Sequence, residues 1–252
     1  MAGDEGTVYV YGILPVSEQD ALSVAGVKNS GVRTVRHGDL AALVSDFEGR
    51  ALKAAKEVRA HWQVLEEASA RATVLPVRFG TVMESDIAVR EQLLAPNAER
   101  LVALLRELAG RVQLSVKGDY DQEQLLRGVV TGSPDVAALR ERLKTLPDDA
   151  GYYDRIRMGE LVASEIERRR EEDQGLALER LEPLAVSARA EALTTPEAAF
   201  NLAFLVHRDR LDQFSAAVRG LGEEIGERIR IRYVGPLPPY SFADLELTAG
   251  SA

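Results

Sequence analysis

The sequence predicts an α+β fold built from two α/β domains, and three observations predict it. Segments with the two-residue alternation of half-buried strands cluster toward both ends of the chain. Long segments with helical spacing fill the middle. The order β, short α, β, β, α, β in residues 1–84 recurs from residue 111 onward, and it is the order of a split βαβ, or ferredoxin-like, unit. Residues 1–84 are therefore read as an N-terminal α+β domain, a small mixed sheet with one long helix, for which a divergent ferredoxin-like unit is the variant reading. Residues 85–110 form a helical connector, 111–242 a C-terminal ferredoxin-like (βαββαβ) domain with a helical insertion, and 243–252 a tail.

Each element has a local cause. Thr7 to Ile13 (TVYVYGI) is β-branched and aromatic and stops at Leu14-Pro15, which makes it the first strand. Ser17 is an N-cap for a short helix to Val24. Val32 to Arg36 and Leu40 to Phe47 are strands around a His37-Gly38-Asp39 turn. A helix from Ala51 to Ala72 places Ala55, Val58, Trp62, Leu65, Ser69 and Ala72 on one stripe, expected to be buried. Thr73 to Val82 (TVLPVRFGTV) is a strand that Pro76 confines to an edge or a bulge. Asp86 to Leu94 and Asn97 to Ala109 are helical and separate at Ala95-Pro96, with Gly110 as C-cap.

In the second half, Val112 to Tyr120 is a strand, and Gln122 to Pro183 is helical with breaks near Gly132-Ser133-Pro134 and Pro147 to Gly151. Ser187 to Leu193 and Ala198 to Val206 are strands joined by Thr194-Thr195-Pro196. Phe200, Leu202, Phe204 and Val206 share one face of the latter. Arg208 to Leu221 is a helix. Arg228 to Val234 closes the sheet with arginines alternating against Ile229, Ile231 and Tyr233.

Composition removes several function classes. A net charge of −9 with no concentrated basic face argues against nucleic acid. No apolar run approaches the ~18 residues of a membrane span. The absence of cysteine rules out disulfides, thiolate nucleophiles and cysteine zinc sites. The acidic, polar opening MAGDEGT does not resemble a leader, so the expected compartment is the cytoplasm.

No catalytic, cofactor or metal site is expected. His37 and His207 lie at turns, and His61 lies off the main apolar stripe of its helix without the paired spacing of a zinc motif. An enzyme would need two titratable groups, such as His61 and Glu66, facing one cleft. Gly220, Gly222 and Gly226 follow a helix and precede a strand, the reverse of a dinucleotide fingerprint, and are read as helix cap and turn. The run Glu165 to Asp173 (EIERRREED) is read as a solvated helix laced by i,i+4 pairs. Two proline-distorted apolar segments remain, 75–82 and 235–242. Both readings of them stay open: sheet edges that capture another chain, or edges blunted against capture.

Three blocks, VYVYGI, TVLPVRFGTV and RYVGPLPPYSF, resemble the gas vesicle protein F/L family in the family's order. The resemblance spans Val8 to about Phe242 and implies a non-enzymatic accessory or minor structural protein of gas vesicles. It implies as partners the small hydrophobic main shell protein and other accessory proteins, and a location at the vesicle, including its gas-facing side. The expected partner surface is the first domain's sheet and helix 51–72, through Val58, Trp62, Leu65, Val77, Arg78 and Phe79. Leu237, Pro238, Pro239, Tyr240 and Phe242 are expected to clasp their own C-terminal domain. The alternative is a small-ligand-binding regulatory module on a ferredoxin-like scaffold.

Overall fold

The structure, a computed structural model, describes residues 6–18, 24–48, 55–147 and 151–243. The α+β class holds. By contact the chain forms two compact units, Met1–Gln113 with Pro236–Ala252, and Leu114–Gly235.

In the first unit, β1 (Val8–Pro15), β2 (Val32–His37), β3 (Leu40–Asp46) and β4 (Leu75–Pro76) form a sheet in the order β2-β3-β1-β4, and β5 (Val82–Met83) also pairs with β1. All these pairings are antiparallel. β1 is buried along almost its whole length, because helix α1 (Ala55–Arg71) and helix α3 (Ala98–Leu108) both pack on it. A strand covered on both faces reads as a continuous apolar run, which is why VYVYGIL shows no polar alternation. The segment 85–110 is therefore part of this unit's core and not a connector: Leu101, Leu105 and Leu108 of α3 are buried. Ahead of α3, helix α2 (Asp86–Ala88), capped by Ser85, runs on into a π-helical turn over Val89–Leu94.

Two local expectations change here. The expected strand Thr73 to Val82 is split into β4 and β5, because Gly80 takes φ 92°, a left-handed conformation that only glycine adopts without strain. The expected helix from Ser17 is a 3₁₀ turn over Val16–Glu18, and its continuation falls outside the described residues, as does the 51–54 start of the long helix.

The second unit carries β6 (Arg111–Tyr120), α4 (Gln122–Gly132), α5 (Pro134–Thr145), α6 (Tyr152–Leu181), β7 (Ser187–Ala190), β8 (Ala198–His207), α7 (Leu211–Ile225) and β9 (Ile229–Leu237). Its sheet order is β7-β8-β6-β9. Phe200, Leu202, Phe204 and Val206 form the core face of β8 as expected, packed with Ala177 and Leu181 of α6 and Phe214, Val218 and Leu221 of α7. Gly220 and Gly222 lie inside α7 and do not end it; the helix is capped at Gly226.

Candidate partner-binding site

The residues that α1 buries are Glu57, His61, Val64, Leu65, Ala68 and Ser69. Leu65, Ser69 and Ala72 of the expected stripe are buried as predicted, whereas Ala55, Val58 and Trp62 are exposed and Glu57 and His61 are buried in the helix's first half instead. Both are accommodated by specific partners. Lys28 Nζ lies 3.3 Å from Glu57 Oε1. His61, only 1% exposed, is held between two tyrosine hydroxyls. Tyr9 Oη is 2.9 Å from its Nδ1, and Tyr240 Oη is 2.9 Å from its Nε2.

The proton positions follow from satisfying every group. The Gly80 amide donates to Tyr9 Oη at 3.0 Å. Tyr9 then has its own hydrogen free for His61 Nδ1, which leaves Nε2–H to donate to Tyr240. Tyr11 is placed by a β-bulge, since the β1–β3 register shifts between Val10 and Gly12. Its hydroxyl accepts from the Val27 amide at 2.7 Å and pairs with Ser45 Oγ at 2.7 Å. Gly26 permits that approach, because a Cβ there would lie 2.2 Å from the Tyr11 hydroxyl oxygen. The Tyr11 ring stacks on the imidazole at 5.7 Å, and Phe79 meets it edge-on at 5.6 Å.

Burial sets the electrostatics. Desolvation pulls His61 down from 6.5 to about 4, opposed by the Val77 carbonyl. It pushes Tyr9 up to about 12 and raises Tyr11 and Tyr240 as well. At neutral pH the cluster is uncharged, suited to holding structure and apolar surface.

The predicted site residues separate into two groups. Leu65 and Val77 are fully buried core residues with no surface to offer, which corrects their assignment to a partner face. Val58 and Trp62 are 38% and 39% exposed. They lie one turn apart on α1, and so on one face. Arg78 is exposed and Phe79 half-buried. The Trp62 ring lies 4.8 Å from that of Tyr240.

The proline–aromatic segment docks, but not on the second unit as expected. Residues from Pro236 belong to the first unit. Pro238, Pro239, Phe242 and Ala243 are buried, and Leu237 and Tyr240 half-buried. Tyr240 reaches His61 and Trp62, while the Ser241 amide donates to Gln113 Oε1 at 2.8 Å.

Other candidates do not converge. Glu66 is exposed on α1 while His61 is buried, so the two share no cleft. His37 and His207 end β2 and β8. Among the described residues no three acidic or histidine side chains are grouped to hold a metal, and no helix is long and apolar enough to cross a membrane. The charge run on α6 is less solvated than expected. Arg169 donates to the Gly128 carbonyl at 2.6 Å, Arg170 to the carbonyls of Ala198 and Pro196, and buried Asp173 accepts from Tyr120 and Arg228.

Comparison with known proteins adds a consistent result. The profile of the gas vesicle synthesis protein GvpL/GvpF family matches residues 7–244. Gas vesicle protein F of Streptomyces sp. (strain CB03234) is 34% identical over 94% of this chain and 100% of its own length. Gas vesicle protein L of the same strain is 30% identical over 87% of this chain and 86% of its own. The crystal structure of gas vesicle protein GvpF from Anabaena sp. PCC7120 superposes with a TM-score of 0.83 at 28% identity, over 95% of this chain and 99% of that one. That of GvpF from Microcystis aeruginosa gives 0.80 at 27% identity, with the same coverage.

Proposed function

Because the chain belongs to the GvpL/GvpF family of gas vesicle synthesis proteins, we propose that it is a non-enzymatic assembly factor or minor component that binds the hydrophobic main shell subunit. The observation that carries this reading is the exposed pair Val58 and Trp62 on α1, flanked by an uncharged aromatic cluster. Large apolar side chains displayed on a rigid helix are the usual anchors of a protein interface. Arg78 and Phe79 extend the same candidate surface. Other accessory proteins are further partners on this reading, which places the protein in the cytoplasm and at the growing vesicle, including its gas-facing side.

Co-expression with the main shell subunit tests the proposal. The full chain should raise the subunit's solubility and co-purify with it. Trp62→Asp with Val58→Asp should weaken capture by about tenfold or more, as expected for loss of an anchor; because the Trp62 ring also packs on Tyr240, Val58→Asp alone, which should leave thermal stability nearly intact, separates lost capture from lost packing. Capture unaffected by the pair would remove this surface from consideration.

One observation favours a small-ligand module instead. A cavity of about 500 Å³ opens beside α3, floored by Val16, Leu40, Val102 and Leu105. Its volume suits a small molecule, but its Glu18 carboxylate already accepts from the Thr73 amide at 2.8 Å. The shell-binding reading is therefore preferred.

A further inference from the structure

The two sheets end in strand edges, and an edge offers a row of backbone donors and acceptors to any extended chain that fits it. Among the described residues, most of these edges are blunted. β2 is flanked by the Val89–Leu94 turn. β4 and β5 are two residues each, with Pro76 in β4. β9 ends in Gly235-Pro236-Leu237 and sets Arg230 and Arg232 on one face, so a second β9 would bring arginine against arginine. β7 differs. It holds no proline, and apart from half-buried Ala188 every residue from Val186 to Glu197 is exposed.

One bond orients its backbone. Glu191 continues the β7–β8 register opposite Asn201, and its amide donates to the Asn201 carbonyl at 2.8 Å. Hydrogen-bonded and non-hydrogen-bonded pairs alternate along an antiparallel ladder. Arg189 is therefore bonded to Ala203 of β8, whereas Ala188 and Ala190 direct their N–H and C=O groups away from the sheet. Their side chains stand in register with Phe204 and Leu202 on the core face. Arg189 and Glu191 lie on the opposite face, two residues apart and of opposite sign.

We propose that β7 pairs with β7 of a second copy of this chain, antiparallel and symmetric about Ala190. The two Ala190 residues then exchange both backbone bonds through their outward groups. Arg189 of each copy falls opposite Glu191 of the other, in the non-hydrogen-bonded position where side chains approach most closely. A guanidinium has five donors, so each arginine takes this carboxylate alongside the contacts of its own chain. Centring the pairing on Arg189 or on Glu191 instead would oppose like charges, so the charges specify the register. A pairing this short buries less than the roughly 1,200 Å² of a standard interface, so the dimer dissociates on dilution. It uses residues of the second unit alone, and holds or fails independently of capture through Val58 and Trp62.

Sedimentation velocity on the full chain should show a monomer–dimer equilibrium that shifts with concentration. Arg189→Glu and Glu191→Arg, each alone, turn both cross-strand pairs into repulsions and should weaken the dimer at least about tenfold. Mixed in equal amounts, the two variants set two arginines against two glutamates and should form a heterodimer as tight as the wild-type dimer. Ala190→Pro removes an outward N–H while sparing the ladder to β8, and should abolish association with the thermal transition nearly unchanged. A wild-type chain that stays monomeric up to about 1 mM would overturn the pairing, as would a dimer indifferent to Ala190→Pro. Charge variants that weaken association and are not rescued by mixing would overturn the register.

Discussion

The two units share a sheet plan and differ in the polar chemistry of their cores. Each sheet places its strands in the order second, third, first, fourth. In the first unit the central polar cluster is neutral, the hydroxyls of Tyr9, Tyr11, Ser45 and Tyr240 around the His61 imidazole, and the buried carboxylate of Glu57 is paired with Lys28. In the second the corresponding groups are ionic, with Asp173 between Tyr120 and Arg228 and the α6 arginines on backbone carbonyls. Neutral networks cost little to bury when every donor finds an acceptor, whereas a buried charge needs a partner of opposite sign. The two units should therefore respond to different conditions. The first unit is sensitive to acid through one imidazole, the second to loss of individual charges.

The largest expected effect is the acid response of the first unit. His61 faces the hydroxyls of Tyr9 and Tyr240, the rings of Tyr11 and Phe79, and the Val77 carbonyl. None of these groups carries a negative charge at neutral pH, so none offsets a proton. Its folded pKa lies near 4 against 6.5 unfolded, so between those values the unfolded chain binds the extra proton. Stability contributed by the neutral ring is fully present above pH 6.5 and declines as the pH falls toward 4. The total is about 3 kcal/mol. Denaturant titrations from pH 7 to pH 4 should show this loss in wild type and lack it in His61→Gln. An imidazole that titrates near 6.5 by NMR would end the argument.

Next in size is the ionic centre of the second unit. Asp173→Asn keeps the shape but deprives the Arg228 guanidinium of its anion. The expected cost is about 2 kcal/mol, since Arg228 retains access to water. Comparing the far-ultraviolet transition with Trp62 fluorescence sharpens the contrast. The variant should move the former, and a Trp62 transition that stays put would show that the units melt separately.

Much of this was legible in the sequence, and the misses have physical causes. β8 announced itself because Phe200, Leu202, Phe204 and Val206 alternate over a face that α6 and α7 bury. β1 was legible from β-branched and aromatic content even though it lacks alternation. The α1 stripe was read correctly at Leu65, Ser69 and Ala72 and misread in its first half, because His61 and Glu57 look polar in isolation and only tertiary partners, Tyr9, Tyr240 and Lys28, make them core residues. The tail's destination was illegible for a related reason. A proline-rich segment has no periodicity, so nothing local records that Tyr240 meets His61, 179 residues away in the chain. The exposed Trp62 carried the available signal for the site: a single tryptophan on a helix otherwise rich in small and charged residues.

The smallest expected effect separates two neighbours in the α6 charge run. Arg170 is anchored on the carbonyls of Ala198 and Pro196, at the start of β8, with its side chain 17% exposed. Arg168 pairs with Glu165 and Glu172 along the helix surface, with its side chain 50% exposed. Sequence spacing treats the two alike, since each has acidic neighbours at helical intervals. Burial does not. Arg170→Ala leaves two backbone carbonyls short of a donor and should cost about 1 kcal/mol, insensitive to salt. Arg168→Ala removes only solvated pairs, which are screened and pay side-chain entropy to form, and should leave the urea midpoint unchanged within error. Equal shifts for the two variants would mean that the run behaves as a uniform solvated face after all. The ionic character assigned to the second unit's core would then rest on Asp173 and Arg228 alone.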